Sequence, residues 1–299
     1  MTVRIDRRGF VQTCAAAATG AGIGLVGSSA QAIEPIARDG EAKFKFSCAA
    51  YSYRDLLQGE GSKLTLFDFV DDCAKMQLEG TELTSYYFPQ PTTEAYLRQI
   101  KKHCSRQGLD ISGTAVGNDF ALPPGDARKK QIAHVKQWVD YAAILGAPVI
   151  RIFAGHAKPG MGATETHRLM VDGIEACCEY AGQHGVHLAL ENHGGPTKTA
   201  DELLAIVRDV DSPWFGVNLD SGNFSSGDAY DQFERLAPYA LNVQVKVVDN
   251  KKQPTDFQRL ATILRSAGYR GYIVLEYEER GDPRTECPRF ADQLRAAFA

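Results

Sequence analysis

The chain has 299 residues, of which 44% are hydrophobic and 23% are charged, and its formal net charge is −4 at pH 7. This composition is ordinary for a soluble globular protein, and the length suits one large domain. The acidic balance argues against a broad basic surface for nucleic acid, because phosphate backbones are bound by clusters of Lys and Arg.

The first predicted element is an export signal at residues 1–32. The basic pair Arg7-Arg8 precedes a stretch rich in Ala and Gly, which ends in an A-x-A site at residues 30–32. The pair, followed by Gly-Phe, resembles a bacterial twin-arginine signal. We therefore expect a cleavable signal and a periplasmic protein. The alternative is an uncleaved anchor, although the stretch is too poor in Leu to favour a stable membrane span.

Residues 33–299 alternate between short apolar runs and longer stretches with helical spacing. Strands are predicted at 44–52, 80–85, 110–117, 148–154, 187–192, 215–220, 242–248 and 272–277. Helices are predicted at 66–77, 93–108, 129–146, 166–185, 201–210 and 256–268. Eight strands that alternate with helices in about 260 residues favour an α/β fold, a single-domain (β/α)8 TIM barrel with parallel strands. A doubly wound open sheet is the alternative.

The sequence also predicts where helices begin and end, and whether the cysteines form disulfides. Gly108, Gly146, Gly185 and Gly268 each occupy a left-handed C-cap position, and Thr199 begins a helix with a capping carboxylate. The six cysteines after residue 32 have irregular spacing, and a chain of this size needs no disulfides. We expect mostly free, buried thiols.

Polar side chains follow the predicted strands at their carboxyl ends, where TIM barrels carry their chemistry. Glu191 and His193 follow strand five, Asp220 and Asn223 follow strand six, and Glu276 ends strand eight. Strand seven carries Gln244 and Lys246, which share one face because they are two residues apart. His156 follows strand four, and Tyr51 and Arg54 follow strand one.

Three buried carboxylates in one place repel each other unless a cation or shared protons intervene. The pattern therefore predicts a divalent metal bound by Glu191, Asp220, Gln244 and Glu276, and the oxygen donors favour Mn²⁺ or Mg²⁺. Each residue also has a simpler explanation. A single strand-end acid often caps a helix or pairs with Arg, the histidines are often loop residues, and Lys246 is also a candidate ion-pair partner for one of the acids.

The strand ends "LALENHGG", "GVNLDSGN", "NVQVKV" and "IVLEYE" resemble the xylose isomerase-like TIM barrels over roughly residues 44–290. That superfamily contains sugar isomerases and epimerases, dehydratases and the endonuclease IV branch. The resemblance implies a metal held by Glu, Asp, His and Glu of strands five to eight, and thus by Glu191, Asp220, position 244 and Glu276. Position 244 is Gln rather than His, and Asn223 stands where the family often has another His.

The resemblance further implies proton transfer beside a carbonyl through an enediolate, with Glu191 and Glu276 as the acid and base. Predicted substrate contacts are His193, Lys246, Asn223, His156, Tyr51, Arg54 and Tyr86, with Phe88 in the aromatic wall.

We expect an isomerase or epimerase for a small carbohydrate. The alternatives are a lyase for keto-sugars or 3-keto-glycosides and a non-catalytic carbohydrate-binding barrel, and association into a homo-oligomer stays open. The endonuclease branch is disfavoured, because seven scattered histidines do not supply its metal site.

Overall fold

The computed structural model of the chain describes residues 34–58, 62–224, 226–249 and 251–299. Eight parallel strands form a closed barrel in the order β1 to β8, which confirms the predicted fold. The export signal predicted at residues 1–32 lies outside the described residues. The strands run in chain order around the barrel, so each crossover returns to the neighbouring strand through a helical segment.

The strands are short and their carboxyl ends are almost completely buried, as expected for a parallel sheet covered by helices. Their bounds are β1 Lys43–Ala49, β2 Gly80–Thr84, β3 Asp110–Ala115, β4 Val149–Ile152, β5 His187–Glu191, β6 Phe215–Asp220, β7 Ala240–Lys246 and β8 Arg270–Glu276. All eight predicted strands are present. Most predicted strands extend past the observed carboxyl ends. The residues that follow the last hydrogen bond of the ladder still fit the pattern of a strand.

The helices form the outer layer of the barrel. Their bounds are α1 Arg54–Leu57, α2 Leu66–Lys75, α3 Glu94–Arg106, α4 Asp126–Leu145, α5 Ala163–Gln183, α6 Ala200–Asp209, α7 Ala229–Leu236, α8 Phe257–Ser266 and α9 Pro283–Phe298. All six predicted helices are present. The sequence patterns did not single out the short α1 after β1, nor α7 and α9, which follow β6 and β8.

The predicted helix ends agree with the backbone. Gly108, Gly146, Gly185 and Gly268 all have positive φ, between 62° and 78°. The Thr199 side chain accepts a hydrogen bond from the Glu202 backbone N–H at the start of α6. These caps terminate the helices before the next strand begins, and so they set where each strand enters the barrel.

The apolar core lies between the strands and the inner faces of the helices, with large buried side chains such as Tyr53, Phe69 and Phe120. The six cysteines of the described chain are all free and buried, as predicted. Among the described residues, none of the helices combines the length and the apolar character that a membrane crossing requires.

Candidate active site

A cavity of about 270 Å³ opens at the carboxyl ends of the strands. Its lining combines carboxylates, two cations and aromatic rings: Tyr51, Tyr86, Arg151, Phe153, Glu191, His193, Asn223, Lys246, Glu276 and Glu278. Pockets for drug-sized ligands begin at roughly 300 Å³. This cavity therefore suits one small polar molecule, such as a monosaccharide.

Strand register brings the charged side chains of the cavity together. Asp220 pairs with Gln244 across β6 and β7, and Lys246 pairs with Glu276 across β7 and β8. The backbone at Asp220 is held by the buried Asn192 side chain, which accepts from the Asp220 N–H and donates to the Asp220 carbonyl. This contact links the end of β5 to the end of β6.

The Lys246 ammonium lies among three carboxylates. Its Nζ donates to Asp220 Oδ2 at 2.8 Å, to Glu278 Oε1 at 2.8 Å and to Glu276 Oε2. Burial opposes the charge, but the carboxylates outweigh this effect and raise the pKa of Lys246 well above its ordinary value. In the structure Lys246 is thus an ion-pair partner of these acids, and its ammonium group is charged at neutral pH.

Glu191 occupies the opposite part of the charged cluster. Its Oε1 accepts from Asn223 Nδ2 at 2.8 Å, and its Oε2 lies 2.9 Å from Arg151 Nε. The Arg151 Nε–H is not aimed at the carboxylate well enough for a hydrogen bond, so this contact is an ion pair only. Burial dominates over the attraction to Arg151 and raises the pKa of Glu191 to about 8. Glu191 therefore exchanges a proton near neutral pH, and it forms the ion pair with Arg151 in its ionised form.

A second polar cluster, which we call the amide layer, lies in the barrel interior and consists of Glu82, Asn218, Asn242 and Gln244. Gln244 Oε1 accepts from Asn218 Nδ2 at 2.6 Å, and Gln244 Nε2 donates to Glu82 Oε2 at 2.7 Å. Asn242 Nδ2 donates both to Glu82 Oε1 and to Asn218 Oδ1, at 2.8 Å each. Burial raises the pKa of Glu82 to about 7, despite these two donors.

The predicted metal ligands do not form a metal site in this arrangement. Asp220 and Glu276 bind the Lys246 ammonium, Glu191 is paired with Arg151, and Gln244 belongs to the amide layer. Within the part of the chain that the structure describes, no three His, Cys, Asp or Glu side chains are grouped so as to hold a metal ion. In this arrangement Lys246 occupies the point at which Asp220, Glu276 and Glu278 converge, so the side chains as placed leave no coordination position for a divalent ion.

Aromatic rings form the remaining walls of the cavity. The Arg151 guanidinium carbon lies 4.0 Å from the centroid of the Phe153 ring, and the His193 ring lies 4.5 Å from the same centroid. Tyr86 is 42% exposed, which is unusual for a large ring on this chain. A sugar ring that enters the cavity thus meets apolar faces beside charged groups, which is the usual composition of a carbohydrate site.

Three of the residues predicted at the site lie elsewhere. His156 lines a smaller pocket beside the cavity, which it shares with His193. Arg54 donates to the backbone carbonyls of Tyr277 and Glu278, so it holds the loop after β8 instead of reaching the cavity. Phe88 is buried and packs edge-on against Trp138 in the core. His193, Lys246, Asn223, Tyr51 and Tyr86 do line the cavity.

Sequence reasoning missed Arg151, Phe153 and Glu82. Each stands in or directly after a buried strand. Because the neighbouring residues are apolar, these segments were interpreted as strand interior without functional residues. A charged residue inside an otherwise apolar strand was the available signal, as in "PVIRIFA" and "GTELTS". Such a charge must be paired or functional, because an isolated buried charge is too costly.

The fold and the cavity define a (β/α)8 barrel with a carboxylate-rich small-molecule site at the carboxyl ends of its strands. The family model described as "Xylose isomerase-like TIM barrel" matches residues 70–296. The chain therefore belongs to the xylose isomerase-like TIM barrel family, as the strand-end motifs predicted.

The similar proteins include several that are named as sugar epimerases. The L-ribulose-5-phosphate 3-epimerase UlaE of Escherichia coli is 26% identical over 185 residues, which are 58% of this chain and 65% of that protein. The chain thus aligns with just under two thirds of the length of this relative. The solved structure of an L-ribulose 3-epimerase has a TM-score of 0.72 at 15% identity, covering 85% of this chain and 94% of the other.

A third similar protein acts on a keto-glycoside according to its name. The structure of the 3-keto-D-glucoside 4-epimerase YcjR from E. coli has a TM-score of 0.67 at 15% identity, covering 86% of this chain and all of the other. At these identities the two solved structures support the fold alone.

Proposed function

We propose that this chain is a sugar isomerase or epimerase that transfers a proton at the carbon beside a carbonyl group. The observation that carries the proposal is the convergence of Glu191 and Glu276 on one small cavity, from strands separated by β6 and β7. Two carboxyl groups from different sides of a cavity are the arrangement that proton removal and return require. The names of the similar proteins support the same reaction class.

The two carboxyl groups have complementary proton states in this proposal. Glu276 accepts from an ammonium group and is the carboxylate that removes the proton from carbon, while the electron pair moves to the carbonyl oxygen. Glu191, whose pKa is raised to about 8, acts in its protonated form and returns a proton to the other face of the enediolate. One proton leaves carbon and one arrives, so the reaction inverts a centre without net oxidation.

Arg151 is the residue best placed to stabilise the developing negative charge. Its Nη1 donates to the Val116 carbonyl, its Nε faces Glu191 Oε2 at 2.9 Å, and the side chain lines the cavity. A fixed guanidinium beside a developing oxyanion lowers the barrier, because the site need not reorganise during the reaction. The proposed contacts for the hydroxyl groups and the ring of the sugar are Asn223, His193, Tyr51 and Tyr86.

The charge of the cavity favours an uncharged sugar over a sugar phosphate. Glu191, Glu276 and Glu278 line it together with Arg151 and Lys246, and both cations are already paired. A phosphate dianion in such a cavity would meet carboxylates, and the one cation with hydrogen-bonding capacity left, Arg151, is already shared with Glu191. We therefore assign a free ketose or keto-sugar as the substrate class, although the relative from E. coli is named for a phosphate ester.

A divalent-ion form of this mechanism, with Mn²⁺ or Mg²⁺, remains the competing form of the proposal. It requires the Lys246 ammonium to leave Asp220 and Glu276, and Gln244 to leave the amide layer. A metal titration of the purified protein separates the two forms.

Incubation of the protein with a panel of ketoses and keto-glycosides in D₂O tests the reaction class. The expected result is deuterium at the carbon beside the carbonyl of the recovered sugar, together with a new epimer or isomer. A dehydrated product that absorbs in the ultraviolet would instead identify a lyase. Binding of sugars without any exchange would identify a carbohydrate-binding barrel.

We also propose export through a twin-arginine signal at residues 1–32, on the sequence pattern alone. The test is expression of the full chain in a bacterium and N-terminal sequencing of the periplasmic protein. A mature N-terminus near residue 33 is expected. Replacement of Arg7-Arg8 by Lys-Lys should retain the protein in the cytoplasm, and periplasmic protein in that variant would exclude this route.

A further inference from the structure

We propose that Lys246 is the resident cation of the active site, and that it binds the carboxylates of Asp220 and Glu276 in place of a divalent ion. The inference deepens the proposed function, because it names the group that holds the Glu276 carboxylate in position. Lys246 acts through Glu276 and is therefore a positioning residue. All three of its ammonium hydrogens are used on carboxylates, so none is left for the substrate.

The strand geometry builds the ammonium into the cluster. Lys246 stands directly opposite Glu276 in the ladder between β7 and β8, so its side chain and the carboxylate project from the same level of the barrel. The Lys246 backbone N–H is fixed by a hydrogen bond of 2.9 Å to the buried Ser221 Oγ. This bond ties the backbone at Lys246 to the end of β6, so the lysine stem starts beside the acids.

A glycine makes room for the stem of this lysine. A Cβ atom on Gly222 would lie 2.6 Å from Lys246 Cδ, which is far inside van der Waals contact. The Gly222 N–H donates to the other oxygen of Asp220, Oδ1, at 2.7 Å. Asp220 therefore has both oxygens occupied by donors from this chain, one of them backbone.

Gln244, the fourth predicted metal ligand, also has its side chain hydrogen-bonded within the amide layer. The Gln244 side chain both accepts and donates within the amide layer, and turning its oxygen to the rim would leave Glu82 without one of its two donors. A buried polar group that loses its hydrogen-bond partner is destabilised. The lysine and the glutamine thus exclude the ion in two independent ways.

The test measures Mn²⁺ binding by calorimetry and by electron paramagnetic resonance, on the full chain stripped with EDTA. The wild-type protein should bind no stoichiometric Mn²⁺, and its melting temperature should be the same with EDTA and with Mn²⁺. In Lys246→Met the uncovered carboxylates should bind Mn²⁺ at least about tenfold more tightly than in the wild type. Lys158→Met is the matched control, because Lys158 pairs with Asp119 at the same end of the barrel, outside the cavity.

Stoichiometric Mn²⁺ in the wild-type protein, with a raised melting temperature, would overturn the inference. If Lys246→Met does not fold, Gly222→Ala gives the same test by displacing the lysine stem, and Mn²⁺ binding should again appear. Equal Mn²⁺ affinities in the wild type and a folded variant would also contradict it. These measurements need no substrate, so an inactive protein that excludes Mn²⁺ would reject the proposed function and leave the role of Lys246 standing.

Discussion

Two buried polar clusters of the described barrel share strands β6 and β7, and they differ in what holds them together. The amide layer joins Glu82 of β2 to amide side chains of β6 and β7 through neutral hydrogen bonds. The charged layer, which we define as Arg151, Glu191, Asp220, Lys246, Glu276 and Glu278, is held by ion pairs and opens into the cavity. The closed cluster supports the site from below, and the open cluster carries the chemistry.

The difference shows how a barrel separates stability from function along the length of one strand. Gln244 and Lys246 lie two residues apart on β7, and one belongs to each layer. Along a strand this spacing is about 6.6 Å. Substitutions at the two positions should therefore affect different properties, and four predictions test this.

The largest expected effect is the loss of activity in Glu276→Gln. Removal of the base should lower kcat by about 1,000-fold, because a positioned acid or base contributes factors of this size. The measurement is deuterium exchange into the sugar that the panel identifies. Glu278→Gln, which removes a contact of Lys246 at the rim, should reduce kcat much less. Equal losses in the two variants would contradict the assignment of Glu276 as the base.

The amide layer should show its effect as a pH dependence of stability. The pKa of Glu82 is raised from 4.5 to about 7, so the folded state holds a proton that the unfolded state releases within this range. The contribution of Glu82 to stability is therefore fully present below pH 4.5 and is lost as the pH rises through 7, by about 3 kcal/mol.

Urea unfolding at pH 5 and pH 8 of the wild type and Glu82→Gln measures this contribution. The variant should lose less stability than the wild type over the same range. Parallel pH dependences in the two proteins would show that Glu82 does not hold a shifted proton.

Gln244→Met should destabilise the protein without removing activity. The change leaves Asn218 without an acceptor and Glu82 without one donor, at a cost of about 2 kcal/mol in the free energy of unfolding. Gln258→Met, at an exposed position of α8, is the control and should have almost no effect. A loss of activity together with loss of a bound metal would place Gln244 in the charged layer instead.

The smallest expected effect concerns substrate charge. Because the charged layer has more carboxylates than cations at the cavity, a free ketose should have a kcat/KM at least about tenfold above that of its phosphate ester. Competition between the two sugars in one reaction measures this ratio directly. A preference for the phosphate ester would require a cationic subsite beyond the cavity.

The eight strands and the carboxylate rim were predictable, because both follow from local patterns. Apolar runs that end in Glu191, Asp220 and Glu276 indicate parallel strands with polar carboxyl ends. The depth of each side chain was not predictable. The period of two places Gln244 and Lys246 on one face, but only the register with β6 and β8 shows which of them reaches the acids.

Arg151 and Glu82 were missed for a similar reason, because their contacts are made between strands. Arg151 and Glu82 point into the barrel from β4 and β2, and their partners are 40 and 160 residues away in the sequence, at Glu191 and Asn242. No local pattern reports contacts between strands so distant in the chain. A predicted cluster of acids therefore suggested a metal, whereas in the structure Arg151 and Lys246 pair with these acids.

The most direct test of the account is deuterium exchange by the EDTA-treated protein in D₂O with its sugar substrate. The account predicts deuterium at the carbon beside the carbonyl without added metal, and loss of this exchange in Glu276→Gln. Exchange that appears only after Mn²⁺ or Mg²⁺ is added, or that is unchanged in Glu276→Gln, would contradict it.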